Sequence, residues 1–265
     1  MQTDLPLDGR SALVTGVSRR RGIGFAVARR LVEMGASLAI HHHLAHDLAE
    51  YGSTDDIETL VEDLCEAGPG HVIALAGDLG EPTASKGLVA QAHSVLGHLD
   101  ILICNHAHGG DAVSIRDASA EAYDRHWAVN TRAALLLTQA FAAQHDRRPG
   151  GRVIWMTSGQ QIGPMSDNLA YAVSKAALAG ATSSVAADLA TSSILLNTVN
   201  PGPVNTGYLD DAPEELLQDF PAGRPGEPDD PARLIGRLVS DEGAWVVGQV
   251  LNTEGGSRDE GPWTA

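Results

Sequence analysis

The chain reads as an α/β protein built on a doubly wound parallel sheet of about seven strands with helices on both faces. Three observations predict this. Short apolar runs alternate with segments of helical period along the whole length. A glycine turn, Gly16 to Gly24, stands between the first such run and the first helical segment. The residues that invite chemistry fall where predicted strands end.

Taken in order, Arg10 to Thr15 is a short apolar run bounded by Gly9 and Gly16, as a buried first strand should be. Phe25 to Met34 has helical spacing and Gly35 as its terminator. Ser37 to His41 is the second strand, followed by a polar stretch, Leu44 to Thr54, read as a mobile flap. Ile57, Leu60, Val61 and Leu64 make an apolar helical stripe over 55–67. His71 to Ala76 is the third strand, Ala84 to Leu96 a helix, and Asp100 to Asn105 the fourth strand. A long helix is expected over 121–144, with Asn130 inside it, then a strand over 152–157 and an Ala-rich helix from Ala170 to about Thr191. A buried Asn in mid-helix is costly, so it should hold a water or bend the helix. Ser193 to Val199 is the sixth strand, Pro231 to Ser240 a helix, and Gln249 to Thr253 the seventh strand. The alternation implies parallel pairing in one Rossmann-type domain over 1–265. It carries a Pro- and Gly-rich substrate loop at 204–228, with a helical piece near Glu214 to Asp219, and a loose tail at 257–265.

Composition narrows the function. The chain has 265 residues and a net charge of −16, which argues against nucleic acid and anionic membranes as partners and reads as a solvated acidic surface. No apolar run approaches the ~18 residues of a membrane span, and the first residues have no basic and apolar leader pattern, so a cytoplasmic protein is expected. Cys65 and Cys104 are unclustered, as in a reducing compartment. Of the eleven histidines, His41, His42, His43 and His46 crowd together. Consecutive strand residues alternate faces, so that run cannot converge on one ion, and no metal site is expected.

The central chemistry lies between Ser158 and Lys175. Tyr171 and Lys175 are four apart at the start of a predicted helix, so phenol and ammonium share a face. A Tyr-x-x-x-Lys pair alone is common on solvated helices. Here the lysine is one of only two in the chain, Lys86 being the other. A cation beside the phenol is expected to lower its pKa from ~10 and make a general acid/base. Ser158 ends a strand, where its hydroxyl can hold a carbonyl or alkoxide. In the glycine turn, bare Cα atoms and a helix N-terminus form a place for a pyrophosphate. Where an acid should meet the adenosine ribose stand His41 and His42, while Arg19, Arg20 and Arg21 occupy the turn. Cations without the acid favour a 2′-phosphate, hence NADPH over NAD(H).

These motifs together resemble the short-chain dehydrogenase/reductase family over roughly 7–256: Thr15-Gly16…Gly22-Ile23-Gly24, Asp78-Leu79, Asn105, Asn130, Ser158, Tyr171-x-x-x-Lys175, Asn200-Pro201-Gly202 and Thr206. The stretch 220–230 and the ending 248–256 are similar to the bacterial 3-oxoacyl-carrier-protein reductase branch. The resemblance implies reduction of a ketone to an alcohol, of 3-oxoacyl or related type, by hydride transfer from NADPH. Tyr171 would be the general acid, Lys175 would bind the nicotinamide ribose, Ser158 would orient the carbonyl and Asn130 would hold a relay water. Cofactor contacts are implied for Gly16, Ser18, Arg19, Arg20, Arg21, Gly22, Ile23, Gly24 and His42. Further along the chain they fall to Asp78, Leu79, Asn105, Ala107, Tyr171, Lys175, Pro201, Gly202, Val204 and Thr206. Gln160, Gln161, Met165 and Tyr208 are the substrate-side candidates. A small carbonyl or alcohol compound, with an acyl thioester among the candidates, and a homotetramer complete the expectation. Two departures stand out. The glycine turn is two residues longer than is usual in the family, and only Asn105 survives from its Asn-Asn-Ala-Gly sequence after the fourth strand. The competing reading is a nucleotide-binding scaffold that has lost catalysis.

Overall fold

The computed structural model describes residues 5–110, 113–210 and 220–256. The helical piece expected near 214–219 and the tail at 257–265 lie outside the described residues. Seven parallel strands form one sheet: β1 Ser11–Thr15, β2 Ser37–His42, β3 Val72–Ala76, β4 Ile101–Cys104, β5 Gly151–Met156, β6 Ile194–Asn200 and β7 Val250–Asn252. Their order is β3-β2-β1-β4-β5-β6-β7. The order reverses between β1 and β4, and a crevice opens there beyond the strands' carboxyl ends.

Strand residues alternate between two cores, as a period of two requires. Ala12, Val14, Leu38, Ile40, Ile101 and Ile103 face one side, where α1 Ile23–Glu33, α3 Ile57–Ala67 and α8 Asp229–Val239 pack. Leu13, Ala39, Leu102, Val153 and Trp155 face the other, against α4 Ala84–Leu96, α6 Ala133–Gln144 and α7 Leu169–Ala190. Trp155 is fully buried, and its indole N–H donates to Thr138 Oγ1 at 3.0 Å, so the largest core side chain leaves no polar atom unpaired.

Two elements differ from expectation. The stretch read as a flap contains a helix, α2 Leu44–Tyr51, closed by Gly52 in the left-handed region at φ 71°. It buries none of its own residues, and Leu44 and Leu48 alone make too short a stripe to announce it. The long helix expected over 121–144 is three pieces: α5 Ala120–His126, a π-helical turn Trp127–Arg132, and α6. Asn130 lies in the π turn, and its buried amide is satisfied by hydrogen bonds with the His108 main chain and Ser174 Oγ. Among the described residues no helix is long and apolar enough to cross a membrane.

Candidate active site

The strand ends enclose a cleft of about 1380 Å³, larger than a pocket for one drug-sized molecule. Its floor is the glycine turn. Gly16 has φ +73° and its N–H donates to His41 Nδ1 at 3.3 Å. A Cβ on Gly24 would stand 2.3 Å from the Gly16 carbonyl oxygen, so only glycine lets α1 begin this close to β1. Gly22 caps α1 without a side chain, leaving the positive end of the helix open toward the cleft.

His41 is buried, and its Nε2–H donates to the Gly77 carbonyl at 3.0 Å while Nδ1 accepts from Gly16. Desolvation lowers its pKa to about 4, so it stays neutral and acts as a clamp between β3 and the turn. His106 is similar: burial lowers it to about 3, and its ring nitrogens meet Thr15 Oγ1 at 2.7 Å and the Val129 carbonyl at 3.0 Å. His42 does not line the cleft. It follows the alternation of β2 to the opposite face from His41, and the cleft wall is taken by His41 and His43 instead.

The three arginines separate. Arg19 lines the cleft with its guanidinium 3.6 Å from the centre of the Tyr51 ring. Arg20 turns outward to Asp63 at 2.6 Å and Asp55 at 3.7 Å. Arg21 makes a two-pronged pair with Asp210 at 2.6 and 2.5 Å, tying the turn to the loop after β6. Acids distant in sequence thus claim two of the three cations expected in the cleft.

Ser18, Gly22, Ile23, Asp78, Leu79, Asn105 and Ala107 do line the cleft, as do Pro201, Gly202, Val204 and Thr206. Asn105 spends its amide on structure: Nδ2 donates to the carbonyls of Thr15 at 3.0 Å and Gly16 at 3.1 Å. Met165 and Tyr208 line the cleft. Gln160 and Gln161 do not; they lie in a 3-10 turn, and Gln160 Nε2 donates to Thr157 Oγ1 at 3.0 Å.

Tyr171, Ser158 and Lys175 meet on the wall facing the glycine turn. Lys175 is 2% exposed and its ammonium, 5.7 Å from the Tyr171 ring centre, donates to the Met156 carbonyl at 3.0 Å. Burial brings its pKa down to about 8. Tyr171 moves in the direction opposite to expectation: desolvation raises it, partly offset by a hydrogen bond with Ser158. Lys175 is directed at a main-chain oxygen, so the phenol remains protonated at neutral pH. Asn130 is buried behind them. Its Oδ1 accepts from the His108 N–H at 2.7 Å, and its Nδ2 donates to the His108 carbonyl at 3.1 Å and to Ser174 Oγ at 2.9 Å.

Sequence reasoning missed the wall that α2 contributes. His43, His46, Glu50 and Tyr51 line the cleft, and across it stands His108. Imidazoles run inward from there: His46 to His108 at 5.5 Å between ring centres, His108 to His126 at 4.7 Å, and His126 to Tyr171 at 6.4 Å. The i, i+4 spacing of His46 and Glu50 was the available signal.

A family model described as enoyl-(acyl carrier protein) reductase matches residues 16–258. An uncharacterized oxidoreductase of Bacillus subtilis, YjdA, is 37% identical over 248 residues, 92% of this chain and 95% of that protein. An NADPH-dependent aldehyde reductase-like chloroplastic protein of Arabidopsis thaliana is 34% identical over 263 residues, 96% of each chain. The crystal structure of a short-chain dehydrogenase from Burkholderia cenocepacia in complex with NADP superposes with a TM-score of 0.82 at 32% identity, covering 95% of this chain and 99% of that one. With this cleft, this sheet order and these relatives, the chain belongs to the short-chain dehydrogenase/reductase family of oxidoreductases.

Proposed function

We propose that the protein reduces a ketone or aldehyde carbonyl to an alcohol with NADPH. One observation carries the reading: a phenol held protonated by burial, hydrogen-bonded to Ser158, with a buried lysine four residues along the same helix. The residues fit the dinucleotide. The cleft volume accommodates it with a substrate, the open end of α1 suits a pyrophosphate, and Arg19 offers a cation for a 2′-phosphate. NADPH and NADP are named for the Arabidopsis and Burkholderia relatives respectively, which supports the same preference here.

When bound, the nicotinamide supplies the hydride. The chain's part is orientation and proton transfer. Ser158 Oγ donates a hydrogen bond to the substrate oxygen and fixes its direction. Tyr171 Oη gives its proton to that oxygen as negative charge develops there. The ammonium of Lys175 stabilises the phenolate left behind, and Asn130 holds the loop after β4 against α7 through His108 and Ser174. Gly16, Ser18, Arg19, Gly22, Ile23, Gly24, Asp78, Leu79, Asn105, Ala107, Pro201, Gly202, Val204 and Thr206 would hold the dinucleotide. Met165 and Tyr208 would border the substrate. A 3-oxoacyl thioester is the first substrate to try, given the likeness at 220–230. A cytoplasmic homotetramer packed through the small residues of α7 completes the proposal; Ala176 and Gly180 there are exposed.

NADPH oxidation at neutral pH with an acetoacetyl thioester and with a simple aldehyde, NADH in parallel, tests the function. Tyr171→Phe should lower turnover by about 10²–10⁴-fold, the usual contribution of a positioned acid, with cofactor affinity kept. A Tyr171→Phe variant with full turnover would sink the mechanism.

A further inference from the structure

α2 lies along the mouth of the cleft although none of its residues is buried. What it presents to the cleft is polar chemistry. Tyr51 is stacked on Arg19, which places the helix's C-terminal end beside the glycine turn. His46 and Glu50 are four apart on one face of α2. His108 reaches them from the loop after β4. One ligand atom from each of these three side chains lies within 4.8 Å of the others.

A second observation concerns the backbone beside them. A Cβ on Gly109 would stand 2.9 Å from Glu50 Oε1, and a Cβ on Gly110 would stand 2.9 Å from His108 Nε2. The loop after β4 approaches the carboxylate and folds back on the imidazole because both positions are glycine. Gly110, at φ +65°, also has the backbone conformation that favours it.

We propose that His46, Glu50 and His108 bind a divalent transition-metal ion of the zinc class, clipping α2 to the loop after β4. Two imidazoles and one carboxylate suit Zn²⁺, Co²⁺ or Ni²⁺; Mg²⁺ and Ca²⁺ require oxygen ligands. On a tetrahedral ion with bonds of ~2.1 Å, donor atoms stand about 3.4 Å apart. The three groups therefore need an inward shift of about an ångström. α2 can supply it, since no buried side chain anchors the helix. One carboxylate offsets part of the ion's charge, and the chain's net −16 draws cations toward it. Three protein ligands leave one position for water.

The ion would act on the catalytic wall through His108. The main-chain N–H and carbonyl of that residue are two of the three partners that clamp the Asn130 amide, Ser174 Oγ being the third. Fixing its ring fixes that clamp, and drawing α2 down narrows the entrance, so a bound dinucleotide should leave more slowly. The metal site needs only the three side chains and does not rest on the carbonyl-reductase reading.

The test is titration of the full-length chain, stripped with chelator, with Zn²⁺ by calorimetry and with Co²⁺ followed by its visible d–d absorption. The expected result is one ion per chain, a four-coordinate cobalt spectrum, and no competition from Mg²⁺. His46→Ala, Glu50→Gln and His108→Ala should each weaken binding by about tenfold or more, while His93→Ala on α4 binds as the unmodified chain does. Glu50 is exposed, so Glu50→Gln should keep the fold, verified by its circular-dichroism melt, and it decides the matter if a histidine variant folds poorly. Absence of micromolar binding overturns the proposal. So does binding that Glu50→Gln leaves unchanged, or several equivalent weak sites of the kind scattered surface histidines give.

Discussion

Lys175→Met should make the protein more stable and inactive at once. Lys175 is 2% exposed and its ammonium donates to the Met156 carbonyl at 3.0 Å, with no carboxylate beside it among the described residues, so it carries a charge in a place that disfavours one. Burial lowers its pKa from 10.5 to about 8. At about 1.4 kcal/mol per pH unit, that difference corresponds to about 3 kcal/mol against the folded, charged form. Because the folded pKa is the lower one, the unfolded chain binds more protons between pH 8 and 10.5, and stability rises with pH across that window. Methionine keeps the length of the side chain without the charge, but leaves the Met156 carbonyl unpaired at a cost of about 1 kcal/mol. The expected gain at pH 7 is therefore about 2 kcal/mol, or a rise in Tm of about 4–8 °C for a domain this size. By pH 10 most of the lysine in the folded state is neutral, the penalty has shrunk to about 1 kcal/mol, and the gain vanishes. Urea denaturation of both proteins without cofactor at pH 7 and pH 10 reads this directly. Equal stability at pH 7, or a gain that stays constant to pH 10, would refute the reasoning.

Other variants separate the roles of neighbouring residues. Arg19→Ala should raise the KM for NADPH about tenfold, the worth of one charge-assisted phosphate contact, and leave that for NADH little changed. Arg20→Ala, which removes an exposed pair with Asp63, should change neither by more than about twofold. Gly24→Ala drives a Cβ into the Gly16 carbonyl; fluorescence titration should show cofactor affinity lost, with the melt lowered by about 1–3 kcal/mol of overpacking. Asn130→Ala strands the buried partners of its amide, at about 1–3 kcal/mol by denaturation, and should also slow turnover.

The strands and most helices were legible because burial writes a period into the sequence. Leu13 and Val14 face opposite cores, and the stripe Ile57, Leu60, Val61, Leu64 turns one face of α3 inward. α2 was not legible for the same reason: it buries nothing, so its few large apolar residues, Leu44, Leu48 and Tyr51, stand exposed or half-exposed among polar ones and mark no core-facing stripe. The convergence of Ser158, Tyr171 and Lys175 could be read because Tyr171 and Lys175 are local to one helix and Ser158 follows β5. The destiny of the arginines could not, since Asp55, Asp63 and Asp210 come into range only through the fold. The direction of the Tyr171 pKa was misjudged because spacing reports proximity to Lys175 and says nothing of the depth to which the phenol is desolvated. His42 was misplaced by one step of the strand alternation.

The strand order also sets a timetable for synthesis. β1 pairs with β2 on one edge and with β4 on the other. As the chain leaves the ribosome, β1, β2 and β3 can zip together with α1 and α3 on one face. The far edge of β1, carrying Ala12, Leu13 and Val14, stays open until Ile101 to Ile103 emerge. An apolar edge strand left unpaired is a template for misassociation. That edge is thus open while residues 16–100 are being made, and a pause in translation before β4 should send more of the protein to chaperones than the same pause after β7.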